Sequence, residues 1–269
     1  MTIPCSSVMA SSDVLPVGVN QETLLSELRR LSWGAADILR AYARGEQPPH
    51  GFPKALSVDD GGEGPVSAAD LAVNQWLLDG LSSAFPDAGW TLLSEETAKE
   101  QLTAGQPLPA DWLWILDPLD GTKDFLQGTG EYAVHLALVH GQRPVLGVVL
   151  LPEADELWIG IIGEGAWCEN RQAERSPVRF SDRTAVSDLI LVASRSHRDD
   201  RLVKLIDAPR ARRFQSGWQC WLQGRHDPSG RDRPVHFPLR PQCAQGLGHG
   251  GSGSGAAGGW WTFHPCRCG

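Results

Sequence analysis

The stretch Trp112-Leu113-Trp114-Ile115-Leu116-Asp117-Pro118-Leu119-Asp120-Gly121-Thr122 constrains the fold of this chain more than any other. Its apolar run, Trp112 to Leu116, has the length of a strand and reads as a buried one. Pro118 has no N–H to give to a ladder, so the strand is expected to stop at Asp117-Pro118. Two carboxylates, Asp117 and Asp120, stand three residues apart on the turn that leaves it. Gly121-Thr122 follows, a small residue and a hydroxyl where a helix can begin. Hard cations such as Mg²⁺ take carboxylate and carbonyl oxygens together with waters, and share them with substrate phosphate. Backbone N–H groups at a Gly-Thr turn into a helix suit the phosphate itself. The stretch therefore proposes a metal-assisted phosphate site. The same residues also read as a plain Asp-Pro and Asp-Gly turn between strands.

The rest of the chain supplies a layered α/β frame for such a turn. Residues 1–21 are expected to be loose. Glu22 to Glu46 has Leu24, Leu25, Leu28, Leu31, Ala35, Ile38, Leu39 and Tyr42 at helical spacing, which makes one amphipathic helix. Gln47 to Pro65 is rich in Pro, Gly and Asp and reads as a loop or hairpin. Ser67 or Asp70 is placed to cap a second helix, Ala68 to Phe85, with Leu71, Trp76, Leu77, Leu78 and Leu81 as its buried face. A short strand, Trp90 to Leu93, ends at Ser94-Glu95-Glu96, and Thr97 to Pro109 is a helix or a loop. After the organising turn come Val134–His140 and Val145–Leu151, a hairpin, and then strands near Glu156–Ile161 and Gly165–Cys168. Ile190 to Ser194 reads as one more strand.

The net charge of −8 argues against a nucleic-acid backbone as partner, which calls for a basic face. It leaves room for a small phosphate ester, because a bound cation supplies the local positive charge. Met1 to Gln21 lacks a basic start followed by an apolar core, and no run nears the roughly 20 apolar residues of a membrane span. A cytoplasmic location is therefore expected.

Four pieces, in order, carry a resemblance: Pro65-Val66-Ser67-Ala68-Ala69-Asp70, Leu93-Ser94-Glu95-Glu96, Asp117-Pro118-Leu119-Asp120-Gly121-Thr122 and Ala193-Ser194-Arg195-Ser196-His197. Together they resemble the inositol monophosphatase family of metal-dependent sugar and nucleotide phosphatases. Lys123-Asp124-Phe125 resembles its 3'(2'),5'-bisphosphate nucleotidase (CysQ-type) branch. The resemblance runs from about Glu22 to about Ser216. It implies a layered α/β/α/β sandwich, with an N-terminal α+β half over 22–181 and the start of a C-terminal α/β half over 182–216. It implies two or three Mg²⁺ ions held by Glu95, Asp117, the Leu119 carbonyl and Asp120. Asp70 and Thr122 match the pair that activates the attacking water, and Glu96 a neighbour that supports the ligands. Glu95, Leu119, Asp120, Gly121, Thr122, Ser194 and His197 match positions that line the substrate. The implied reaction is hydrolysis of a phosphate monoester, favouring 3'-phosphoadenosine 5'-phosphate, and sensitive to lithium. An inositol or sugar monophosphate is the other substrate class, and a dead remnant that only binds metal or a partner is the alternative of a different kind.

Read one by one, these residues have plainer roles. Asp70 alone is a helix cap, Glu95 and Glu96 solvated charges, Thr122 an N-cap, and His197 beside Arg195 a surface pair.

After Ser216 the pattern fails. The family closes its site with a Gly-Ser segment and a Trp-Asp-x-Ala-Ala motif whose Asp is a further metal ligand, and neither occurs. From Gly217 to Gly269 there is no Glu, Lys, Ile or Met, and Asp227 and Asp232 are the only acids. Four of the six Cys and four of the eleven Trp fall there. Gly217-Trp218-Gln219-Cys220-Trp221 is encoded by GGN-TGG-CAR-TGY-TGG, and one base later the same bases permit Val-Gly-Ser-Ala-Gly. Leu247-Gly248-His249-Gly250-Gly251, written CTG-GGN-CAY-GGN-GGN, permits Trp-Asp-Thr-Ala-Ala at the same offset. A shifted reading frame near codon 217 accounts for both. Residues 217–269 are then an aberrant, disordered tail, and the chain as written is expected to be weakly active or inactive. A genuine Gly-rich extension is the alternative reading. A zinc site from Cys243, His264, Cys266 and Cys268 lacks a standard spacing.

Overall fold

The computed structural model describes residues 15–54, 68–95, 110–141 and 143–178, together with strands at 190–194 and 213–217. They belong to two compact units, the first holding the chain through Ser176 and the second starting at Pro177.

In the first unit, α1 spans Gln21–Ala43. Asn20 caps it, its side chain accepting from the Thr23 N–H at 3.0 Å. The apolar positions legible in the sequence form the buried stripe, with Leu24, Leu28, Leu31, Ala35, Ile38 and Leu39 at 0% exposure. The helix ends three residues before Glu46 because Gly45 turns the chain with a left-handed φ of 66°. The second helix, α2, spans Ala68–Ala84. Its buried face is Ala69, Ala72, Val73, Leu77 and Leu81, whereas Leu71, expected inside, is 39% exposed. Asp70 is not the cap: it lies within the first turn, 3% exposed.

The two helices meet closely. The Trp76 indole N–H donates to the Leu31 carbonyl at 2.9 Å, and the ring lies against Gly34, where a Cβ would come within 2.6 Å of it. His50 stacks on Trp76 at 4.0 Å and, with the indole hydrogen bond, holds the ring in place. A Gly34→Ala chain gains at most about 1 kcal/mol of helix propensity. It loses about 1–3 kcal/mol to overpacking, so a lower melting temperature is expected by thermal unfolding.

The sheet has seven strands in sequence order: β1 (Thr91–Ser94), β2 (Trp112–Asp120), β3 (Ala133–His140), β4 (Arg143–Leu151), β5 (Glu156–Ile161), β6 (Gly165–Glu169) and β7 (Arg175–Val178). Only β1 and β2 are parallel among its pairs whose register is defined, β2 through β6 running as antiparallel neighbours. Trp114, Leu116, Val134, Leu136, Leu138, Val148, Leu150, Leu157 and Ile159 join α1 and α2 in one apolar core. Leu113, Val139 and Leu93 are buried on the opposite face.

The far end of this unit is tied to α1 by charge. Glu169 on β6 has a side chain with no exposure; it takes Arg29 of α1 at 2.5 Å, the Trp167 indole N–H at 3.0 Å and Arg175 of β7 at 3.2 Å. Arg40 donates to the Pro152 carbonyl of a short 3₁₀ turn, Pro152–Ala154, and to Asp155 at 3.0 Å. Arg171 links Asp155 and Asp37. Burial alone would raise the Asp155 pKa, but Arg40 and Arg171 outweigh it and hold the carboxyl below its ordinary value.

In the second unit, β8 (Ile190–Ser194) and β9 (Arg213–Gly217) pair in parallel, Ile190 opposite Arg213 and Ser194 opposite Gly217. Among the described residues no helix is long and apolar enough to cross a membrane.

Candidate active site

The organising stretch departs from expectation at one point. The strand does not stop at Asp117-Pro118 but runs on as β2 to Asp120. The ladder skips instead of ending. Asp117 lies opposite His135 and Asp120 opposite Ala133, so three steps on β2 match two on β3. Pro118, with no N–H to offer, falls in this irregularity, where none is called for.

At Gly121 the chain turns with φ 96° and ψ 35°, a left-handed conformation that costs a residue with a Cβ. The turn feeds α3, a six-residue helix over Thr122–Gln127. Phe125 packs edge-on against Tyr132 at 5.0 Å, and the Tyr132 hydroxyl donates to Glu153 at 2.6 Å. Burial, then the Glu153 carboxylate, pushes the Tyr132 pKa up, so the phenol stays a donor at working pH. Thr129 closes α3 by donating its hydroxyl to Asp124, which is fully buried. The short helix is thus pinned at both ends, and Thr122 with it.

Thr122 sits at the meeting point of α2, β2 and α3. Its Oγ1 lies 3.3 Å from Asp70 Oδ1, across 52 residues of sequence, and 3.1 Å from the Leu119 carbonyl oxygen. A hydroxyl has one proton, so it donates to one of these acceptors at a time. Asp70 and Thr122, matched to each other only through the resemblance, are brought together.

The carboxylates are placed along one edge. β1 runs parallel to β2 with Ser94 opposite Leu116, and the Glu95 N–H donates to the Leu116 carbonyl at 2.9 Å. Glu95 therefore leaves β1 level with Asp117, three residues before β2 ends, near the carboxyl ends of strands where open α/β sheets take ligands. Glu95 is exposed, and Asp117 is partly buried. Asp120 is 11% exposed, and its Oδ2 lies 3.5 Å from His135 Nε2. His135, itself 12% exposed, is not among the residues the sequence singled out.

The donor set suits a hard cation: three carboxylates and the Leu119 carbonyl, all oxygen, on two adjoining strand ends. Among the described residues, however, no three His, Cys, Asp or Glu side chains converge as a ready-made metal cage. The fit is one of chemistry and placement. Glu96 and His197 lie outside the described residues, and of Ser194 the backbone alone is described, at the end of β8.

A model of the Inositol monophosphatase family matches residues 20–217. The chain is 32% identical over 185 residues to a Salmonella typhimurium protein named 3'(2'),5'-bisphosphate nucleotidase CysQ, covering 68% of each. It is 32% identical over 181 residues to the protein of that name from Escherichia coli K12, covering 66% of each. The fold is similar to that of an IMPase from Thermotoga maritima, with a TM-score of 0.57 at 22% identity over 79% of this chain and 74% of that one.

Proposed function

We propose that this chain, which belongs to the inositol monophosphatase family and is a phosphatase by class, is built to hydrolyse the 3'-phosphate of a bisphosphate nucleotide such as 3'-phosphoadenosine 5'-phosphate. The observation that carries the reading is the contact of Thr122 Oγ1 with the buried Asp70 carboxylate at 3.3 Å. A hydroxyl donating to a carboxylate leaves its own lone pairs facing outward, ready to accept a proton from water. Thr122 orients the attacking water and passes its proton toward Asp70. The water oxygen bonds to phosphorus as the ester P–O bond breaks, the departing 3'-oxygen takes a proton from a solvent water, and the proton held at Asp70 passes to solvent once the products leave. The Gly121 and Thr122 N–H groups steady phosphate oxygens, since positioning and electrostatics dominate phosphoryl transfer.

Glu95, Asp117, the Leu119 carbonyl and Asp120 would hold Mg²⁺, which when bound lowers the pKa of water and neutralises phosphate charge. With the Leu119 carbonyl serving as a metal ligand, the Thr122 hydroxyl would donate to Asp70 rather than to that carbonyl.

The nucleotide is favoured by Lys123-Asp124-Phe125 and by relatives named for bisphosphate nucleotides. Phosphate release by the purified chain, with Mg²⁺ present, is the test. Release from 3'-phosphoadenosine 5'-phosphate at least about tenfold above that from inositol 1-phosphate is expected, about the discrimination one well-placed contact gives. The reverse order assigns an inositol or sugar phosphate instead. A second reading rests on the absence of Trp-Asp-x-Ala-Ala after Ser216. On it, the chain as written is impaired and the complete site belongs to the shifted frame. Sequencing the DNA across codons 205 to 260 separates a shifted frame from true divergence.

A further inference from the structure

We propose that His135 is a positioning residue that orients Asp120 for cation binding, an inference that rests on the metal-site reading above. The contact arises from the ladder irregularity. Asp117 pairs with His135, but the extra residue on β2 brings Asp120 back beside β3, opposite Ala133. The imidazole Nε2 then lies 3.5 Å from Asp120 Oδ2. Both side chains are nearly out of solvent, at 12% and 11% exposure, where an electrostatic contact is screened less than at the surface.

On its own strand His135 is out of character. Its same-face neighbours, Ala133, Ala137 and Val139, are apolar and buried. β2 sets two carboxylates assigned to the cation beside this imidazole, Asp117 opposite it in register and Asp120 at 3.5 Å. A charge contact at Oδ2 biases the rotation of the carboxylate and with it the direction in which Oδ1 points. Partners of this kind set ligand orientation, and their loss weakens metal binding about 10–100-fold.

The test is calorimetric titration of the purified full chain with Mg²⁺, without substrate, alongside thermal melting. His135→Leu is expected to weaken Mg²⁺ at least about tenfold with little change in melting temperature. His135→Gln, whose amide N–H reaches the place of Nε2, is expected to recover most of the affinity. Should the Leu chain not fold, His135→Met carries the same comparison. Wild-type affinity in the Leu or Met chain overturns the proposal. So does a Gln chain as weak as they are, which would mark His135 as a packing residue. A wild-type chain that takes no Mg²⁺ overturns the metal reading itself, and this inference with it.

Discussion

Reading the chain one base later after codon 216 is expected to raise Mg²⁺-dependent phosphate release by on the order of 100-fold. That figure is conservative: losing a residue that merely supports a metal ligand costs about 10–100-fold, and the resemblance implies that here a ligand itself lies in the shifted frame. Asp70, Thr122, Glu95, Asp117 and Asp120 all precede the point of change, so the shifted chain differs only beyond Ser216. Both chains are assayed side by side on 3'-phosphoadenosine 5'-phosphate. Equal rates would mean that the residues beyond Ser216 contribute nothing to turnover, and the shifted frame would lose its functional meaning. An Asp70→Asn change in the shifted chain is expected to remove about 10²–10⁴-fold of kcat, the usual worth of a general base. Asn keeps the shape and the contact with Thr122 while giving up the proton acceptor. KM and melting temperature should therefore change little.

Glu169→Ala is expected to destabilise the fold by about 2–4 kcal/mol. Breaking a buried ion pair by removing one member costs about 3–5 kcal/mol, because the remaining charges lose their partner. Here the loss is smaller, since Arg29 and Arg175 are 22% and 51% exposed and water takes up part of their charge. The Trp167 N–H is left without its acceptor as well. For a chain of this size that is a fall of about 5–15 °C in melting temperature. Glu169→Gln keeps the acceptor and the volume and should lose less. If Ala and Gln melt together, the charge contributes nothing and the site is held by packing alone.

Much of the frame is legible in the sequence because it follows from local periodicity. The α1 stripe repeats every three or four residues, and the β3–β4 hairpin shows two apolar runs about a short turn. The limits of legibility are equally physical. A proline argues against a ladder, yet β2 passes Pro118 because a bulge asks no N–H of it. The burial of α2 follows small residues, Ala69, Ala72 and Val73, and Asp70 faces the site from the first turn, where composition reads only a cap. β9 pairs with β8 across about twenty residues, which no local pattern announces. His135 escapes notice for a related reason. Its meaning depends on a register shift in the neighbouring strand, and one strand read alone carries no record of its partner's register.

The extra residue on β2 also sets what lengths evolution can tolerate there. Deleting Leu119 would let β2 and β3 pair without interruption, and the sheet would gain regularity. The same deletion would bring Asp120 one position nearer to Asp117 and take away the Leu119 carbonyl, which accepts from the Thr122 hydroxyl at 3.1 Å. Selection for stability and selection for the site therefore pull in opposite directions at this one residue. Insertions elsewhere, as at the β3–β4 turn, alter a surface loop. A change of length between Asp117 and Asp120 exchanges a working edge for a better sheet.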